Sequence, residues 1–326
     1  MNYMRIIFKK FKARMIVGCI LAVIALLAVS VIVFINQASF GRTPRGERLE
    51  RVMKSPNYRN GEFKNQHETL LMTSDRGRFS GIWEFIFRKI DGLRPEQAVK
   101  AIKTDLRKIG RNQEILVWFG HSSYLIQTGG KRILVDPVFC MASPVSFVNK
   151  PFKGTELYTP DDMPDIDYLV ISHDHWDHLD YNTVKKLKDR IGAVICPLGV
   201  GEHFEYWGFD KERLIELDWN EDANLAPGFM IHCLPARHFS GRRLTANQSL
   251  WASFLLEAPS QKIYIGGDGG YDTHYAEIGN RFPGIDLAIL ENGQYNEEWS
   301  LIHLMPQYMA QTARDLKAKR VLTVHH

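Results

Sequence analysis

Three patterns of apolar and polar positions divide this chain. Residues 15–40 carry no charge and are dense in Ile, Val, Leu and Ala, without a regular polar face. At ~1.5 Å rise per residue that run exceeds the ~30 Å hydrocarbon core of a bilayer, so it predicts a tilted membrane-spanning helix. A cleaved signal sequence would carry an apolar core of only ~7–15 residues. Residues 41–113 form a neck that reads as loop followed by two short helices. Phe79, Ile82, Trp83, Ile86 and Ile90 recur at helical spacing, and beyond Pro95 the residues Ala98, Ile102 and Leu106 share a second face. Those faces either cover a core or rest on anionic lipid.

From residue 114 the pattern changes to short apolar runs punctuated by glycine. Strands are expected at 115–119, 123–127 and 132–135, the latter two joined by the Gly129-Gly130 turn. A buried strand at 168–171 follows, then helices near 182–190 and 201–208, with strands near 193–196, 214–217 and 229–234. A second hairpin covers 250–256 and 262–265. Last come a helix near 274–281, a strand at 286–290, a helix near 306–318 and a strand at 320–324. Strands interleaved with helices, plus two hairpins, indicate an α/β fold with two mixed β-sheets.

Charge sharpens this division. The 326 residues carry 41 Lys+Arg and 37 Asp+Glu, a formal net charge of only +4. Residues 1–14 hold five Lys/Arg and no acid, and residues 42–113 hold 17 Lys/Arg against 9 Asp/Glu, which leaves the remainder acidic. An acidic body argues against nucleic acid as a partner. The expected order is therefore a basic cytoplasmic tail at 1–14, a transmembrane anchor at 15–40, a basic neck at 41–113 and a catalytic domain at 114–326. A large domain after an anchor is translocated largely regardless of charge, so that domain is placed on the non-cytoplasmic side of a single-pass membrane protein. Cys19, Cys140, Cys196 and Cys233 include no Cys-x-x-Cys, which excludes a disulfide framework and a structural zinc knuckle.

The candidate chemistry starts at Ser172-His173-Asp174-His175-Trp176-Asp177-His178, directly after an apolar strand. Imidazole and carboxylate are ligands suited to a borderline divalent metal such as zinc, and this string offers more of them than one tetrahedral ion with an open position can use. Two divalent metal ions per chain are expected. His238, Asp268 and His325 each follow a predicted strand and complete a candidate ligand set. His121 and Asp136 read equally well as outer support for the ligands and as turn residues. Arg242 and Arg243 read first as solvated surface charges, with contact to a phosphate as the alternative, and His203, His232 and His274 are assigned no role. No Gly-x-Ser-x-Gly setting marks a serine nucleophile.

These residues resemble the metallo-β-lactamase-fold hydrolases over roughly 114–326. The Phe-Gly-His-Ser-Ser string at 119–123, Ile-Leu-Val-Asp-Pro at 133–137, the motif at 173–178, the 237–242 segment, Leu250-Trp251 and Gly-Asp-Gly-Gly-Tyr at 267–271 are most similar to the branch of N-acylphosphatidylethanolamine-hydrolysing phospholipase D. The resemblance implies a four-layer αβ/βα sandwich. It implies that His173, His175 and His238 hold one metal, that Asp177, His178 and His325 hold the second, and that Asp268 bridges them. His325 is favoured over the adjacent His326. Asp177 and His303 would be the catalytic side chains, with zinc as the metal and a phospholipid phosphodiester as the substrate. Members of the branch usually continue past the final ligand histidine with another turn and strand, so the domain is expected to extend beyond His326. Two alternatives stay open: hydrolysis of a soluble ester, lactone or β-lactam at the same site, or a non-catalytic membrane scaffold. A homodimer is compatible with all three.

Overall fold

The computed structural model describes residues 2–73, 92, 94–145, 149–293 and 295–326. Contacts divide the chain into two units, Met1–Phe40 and Gly41–His326. The first is a single helix, α1 (Asn2–Ile35), ending in a 3-10 turn at Ala38–Phe40. Its Lys10–Ile35 portion, with mean hydropathy 3.2, is long and apolar enough to cross a membrane. Large apolar side chains from Met15 to Val33 are exposed around the helix, a surface that water does not favour.

The second unit begins with a strap at 41–45, helix α2 (Gly46–Lys54) and a small hairpin, β1 (Tyr58–Arg59) with β2 (Glu62–Phe63). Helix α2 stands where a loop was expected. Its sequence is mostly charged, and only Val52 is fully buried. Ion pairs hold it instead. Arg48, nearly buried, lies 2.6 Å from Glu202 and 2.6 Å from Glu216, while Arg42 and Arg51 pair with Glu202 and Glu221. The basic neck is thus matched to acids of the body, which supports cover of the core for this stretch. The proposed helix bearing Phe79, Ile82, Trp83, Ile86 and Ile90 lies outside the described residues. The helix expected over Ala98, Ile102 and Leu106 is absent: 95–105 is irregular, and only Leu106–Lys108 makes a 3-10 turn. Its backbone is drawn to the body instead, Val99 N–H donating to Lys153 O and Thr104 N–H to the Tyr158 hydroxyl. Leu106 is consequently buried while Ile102 is exposed.

Two six-stranded mixed sheets follow. The first runs in the order β3 (Ile115–Gly120), β4 (Ser123–Thr128), β5 (Lys131–Val135), β6 (Ile166–Val170), β7 (Ile191–Pro197) and β8 (Leu214–Leu217), antiparallel to β5 and parallel beyond it. The second comprises β9 (Asp222–Ala226), β10 (Phe229–Leu234), β11 (Ser253–Ala258), β12 (Gln261–Ile265), β13 (Leu287–Glu291) and β14 (Val321–Val324), with β12 to β14 parallel. Strand alternation sorts the side chains into layers. Tyr124, Ile126, Ile133 and Val170 of the first sheet share one core with Phe254, Leu256, Ile263 and Ile289 of the second. Their neighbours Leu125, Leu134 and Leu169 face α3 (Tyr181–Leu187) and α4 (Gly201–Tyr206), in a cluster with Val184, Leu187 and Phe204. On the other outer face Leu255 and Tyr264 pack with Tyr275 and Ile278 of α5 (His274–Arg281) and with Leu316, just after α6 (Met309–Asp315). This is the expected four-layer sandwich. Strand β9 was missed because it is only five residues long and its alternation rests on Ala223 and Leu225 alone, set against Asp222 and Asn224.

One buried histidine makes the fold acid-sensitive. Burial pushes His274 down to about 4, against a partial opposing pull from Asp272 and with Arg237 and His67 adding to the depression. The unfolded chain therefore takes up this proton first as pH falls, and stability present above pH ~6.5 is lost towards pH 4, by about 3 kcal/mol in the limit. His274→Gln is expected to lose correspondingly less stability than the parent between pH 7 and 4, measured by urea unfolding. Parallel losses in the two proteins would contradict a neutral buried imidazole.

Candidate metal centre

Every candidate ligand sits just beyond the carboxyl end of a strand or in the 173–178 loop after β6, on the same edge of the sandwich. Backbone placement there is demanding. His121, Asp136 and His325 adopt positive φ angles of 46°, 40° and 70°, conformations that cost a non-glycine residue on the order of 1 kcal/mol each and tend to cluster at functional sites. Gly267, at φ 61°, lets the chain turn so closely that a Cβ would lie 2.7 Å from Ser172 Cβ, and this delivers Asp268.

Two groups of donors converge. His173 Nε2 lies 2.9 Å from His175 Nδ1, which is 3.3 Å from His238 Nε2. Tetrahedral zinc with bonds of ~2.0–2.1 Å would set its nitrogens about 3.3 Å apart, so three imidazoles at this spacing fit one ion. Beside them stand His121, Asp177, His178 and His325, whose ligand atoms lie within 4.8 Å of one another. Asp268 lies between the groups, with Oδ1 3.2 Å from His178 Nε2 and Oδ2 3.1 Å from His325 Nε2 and 3.8 Å from His238 Nε2. Its oxygens are thus in reach of both sets. Of the terminal pair, His325 is buried beside Asp268, while the His326 ring packs 5.0 Å from Trp118.

Burial and charge test whether these residues suit a metal. His178 Nε2, Asp268 Oδ1 and both ring nitrogens of His325 are buried and make no hydrogen bond among the described residues. Leaving each such atom unsatisfied costs about 1–3 kcal/mol, a penalty that coordination to a shared cation removes. Burial holds His173 and His238 well below the usual imidazole range, which keeps them in the neutral, ligating form. Asp268 and Asp177 remain anionic despite burial because His178, His121 and His325 surround them. The donor set fits a dinuclear divalent site.

An outer layer fixes these rings. His238 Nδ1 lies 2.7 Å from Ile302 O, a donor contact that turns Nε2 towards the other histidines. Asp136 accepts from Ser172 N–H and Ser172 Oγ–H and pairs with His178 Nδ1 at 2.8 Å. It is therefore support for a ligand as well as a turn residue. His121 Nε2 reaches Asp177 at 3.2 Å, and its carbonyl accepts from His325 N–H. His303, the matched active-site histidine, sits with its ring 5.2 Å from that of His238 and 5.5 Å from that of His325. Burial opposes its charge, but Glu291, 2.8 Å away, together with Asp268 and Asp177, raises it to about 9. Glu291 was missed. Its signal was an acid closing the otherwise apolar strand β13, where it accepts from Gly269 N–H, Leu304 N–H and His303. Arg242 corrects the reading of a solvated charge: it is buried between the Trp176 and Trp207 rings and donates to the carbonyls of Asp174 and Leu179, while Arg243 is pinned to Gly41 O.

Two facing mixed sheets that bury a histidine–aspartate centre at their strand ends define the metallo-β-lactamase class of metal-dependent hydrolases. The chain belongs to it: the Beta-lactamase superfamily domain matches residues 131–326. An uncharacterised Mycobacterium tuberculosis protein is 38% identical over 260 residues, 78% of this chain and 68% of that protein. The outer membrane protein RomA of Klebsiella pneumoniae is 58% identical over 95 residues, 29% of this chain and 72% of RomA. N-acyl-phosphatidylethanolamine-hydrolyzing phospholipase D 1 of Caenorhabditis elegans is 29% identical over 225 residues, 64% of this chain and 62% of the enzyme.

The outer layer is expected to matter almost as much as the ligands. Asp136→Ala strands the His178 and Ser172 donors in a buried site, which should lower stability by about 3–5 kcal/mol and metal affinity by about 10–100-fold. Urea unfolding and competition with a chromophoric chelator measure the two effects. A variant matching the parent in both would show that Asp136 orients nothing.

Proposed function

We propose that this protein is a membrane-anchored, zinc-dependent phosphodiesterase acting on a phospholipid of the N-acylphosphatidylethanolamine kind. The observation carrying this reading is the His303–Glu291 pair, 2.8 Å apart, standing beside two groups of buried histidine and aspartate donors with Asp268 between them. His173, His175 and His238 would hold one zinc ion, Asp177, His178 and His325 the second, and Asp268 both. Bound ions would supply Lewis acidity towards a phosphoryl oxygen and would lower the pKa of water to ~7. Support for the substrate comes from the likeness to the Caenorhabditis elegans phospholipase D, and support for the location from helix α1 and the likeness to RomA.

The remaining steps belong to this chain's own side chains. Asp177, kept anionic by its histidine neighbours, accepts a proton from the attacking water. His303 is held with Nδ1 towards Glu291, which leaves the proton on Nε2 for the departing alkoxide. The Glu291 contact favours the protonated ring, and its Nε2–H is also placed to stabilise charge on the phosphoryl oxygens. Burial of the histidines keeps the reaction in a low-dielectric setting where such charges act strongly.

Detergent-solubilised full-length chain, loaded with zinc, should cleave N-acylphosphatidylethanolamine in mixed micelles at least ~100-fold more efficiently than a soluble aryl ester, a lactone or a β-lactam. His303→Gln should lower kcat about 10²–10⁴-fold, the usual contribution of a positioned acid, with little change in KM. Turnover of soluble esters without lipid cleavage would overturn the phospholipid reading, and an unaltered kcat would remove His303 from the chemistry.

A further inference from the structure

Asp174 lies between His173 and His175 yet turns away from both into a buried network of its own. Its Oδ1 accepts from Gly241 N–H at 2.8 Å, and its Oδ2 accepts from Ser249 Oγ–H at 2.9 Å and faces His203 Nε2 at 3.3 Å. His203 is buried, stacked 5.8 Å from the Trp207 ring, and its other nitrogen accepts from the backbone N–H of Arg42 at 3.0 Å. That donor fixes the tautomer. With Nδ1 occupied as an acceptor, the ring proton must sit on Nε2, where it can only be given to Asp174.

The strap that makes this contact is built for close approach. Gly41 has φ 64°, and a Cβ there would overlap the His203 ring. Arg243 donates to Gly41 O, Arg42 pairs with Glu202, and Pro44 packs where a Cβ on Gly199 would lie 3.2 Å from its ring. Thr43 and Pro44 also close a small cavity of about 10 Å³ lined by Asp174, His203, Arg242 and Ser249.

We propose that the 41–44 strap is a positioning element of the metal centre, acting through His203 and Asp174 to hold the loop that carries His173 and His175. The residues immediately following the apolar helix then govern metal retention, although none of them reaches the metal site itself. This inference rests on the metal-binding part of the reading above and is independent of the substrate. Releasing the strap leaves His203 free to change tautomer, and Asp174 loses one of its three donors.

The test is zinc affinity of the full-length chain in detergent, measured by chelator competition, beside the melting temperature of the metal-free protein. Three variants serve: His203→Leu, His203→Gln and Gly41→Ala. His203→Leu and Gly41→Ala should weaken zinc binding about 10–100-fold, the range found when outer-layer partners of ligands are removed. His203→Gln retains an N–H for Asp174 and should recover most of the affinity. Zinc binding within about twofold of the parent in both His203→Leu and Gly41→Ala, whatever their melting temperatures, overturns the proposal while leaving the metal centre standing. Equal losses in His203→Leu and His203→Gln also overturn it, since the Nε2–H would then not be the group that counts. A parent chain that binds no zinc overturns this proposal and the metal centre together.

Discussion

The Asp268 carboxylate is the group around which the structure is arranged. It is buried together with His178 and His325, whose Nε2 atoms approach its oxygens to 3.1–3.2 Å. A charge out of water needs compensation of several kcal/mol, which these imidazoles begin to supply. A cation shared between the donors would complete it while leaving the rings neutral. The positive φ angles at His121, Asp136 and His325 and the tight turn at Gly267 are local penalties accepted so that donors from both sheets meet at one place. Parallel strands in each sheet end on the same edge, so the topology brings His173–His178 of one sheet against Asp268, Glu291 and His325 of the other.

A second electrostatic theme runs through the neck. Composition alone shows a basic front end and an acidic body, a contrast open to more than one explanation. Within the described residues much of it is internal: Arg42, Arg48 and Arg51 meet Glu202, Glu216 and Glu221, and Arg48 is among the most buried cations of the protein. Breaking a buried pair of this kind usually costs 3–5 kcal/mol because the partner is left charged and dry. Arg42, in the strap just before α2, takes part in this pairing through its side chain and also donates its backbone N–H to His203.

Much of this was legible beforehand, for identifiable reasons. Strands β3 to β8 and β10 to β14 are apolar runs bounded by glycine and polar turns, and the motif at 173–178 announces its chemistry through residue types that have few other uses at that spacing. Helix α2 was invisible because its stability comes from partners distant in sequence, the acids of the body, and strand β9 because its five residues offer little beyond Ala223 and Leu225 as an apolar pattern. The helix expected at Ala98–Leu106 shows the converse, a plausible local periodicity overridden by backbone bonds to Lys153 and Tyr158. The contacts of Glu291, Asp174 and His203 were not readable for a related reason: that Glu291 meets His303 and Asp174 meets His203 is decided by distances that residue spacing along the chain does not encode.

The central claim is that two metal ions occupy this donor set. Metal analysis of full-length protein purified without chelator, beside His175→Ala prepared identically, tests it most directly. The account predicts close to two zinc ions per parent chain and a clear loss in the variant, with both proteins folded. Well under one metal ion per folded parent chain, or equal contents in the two proteins, would contradict it.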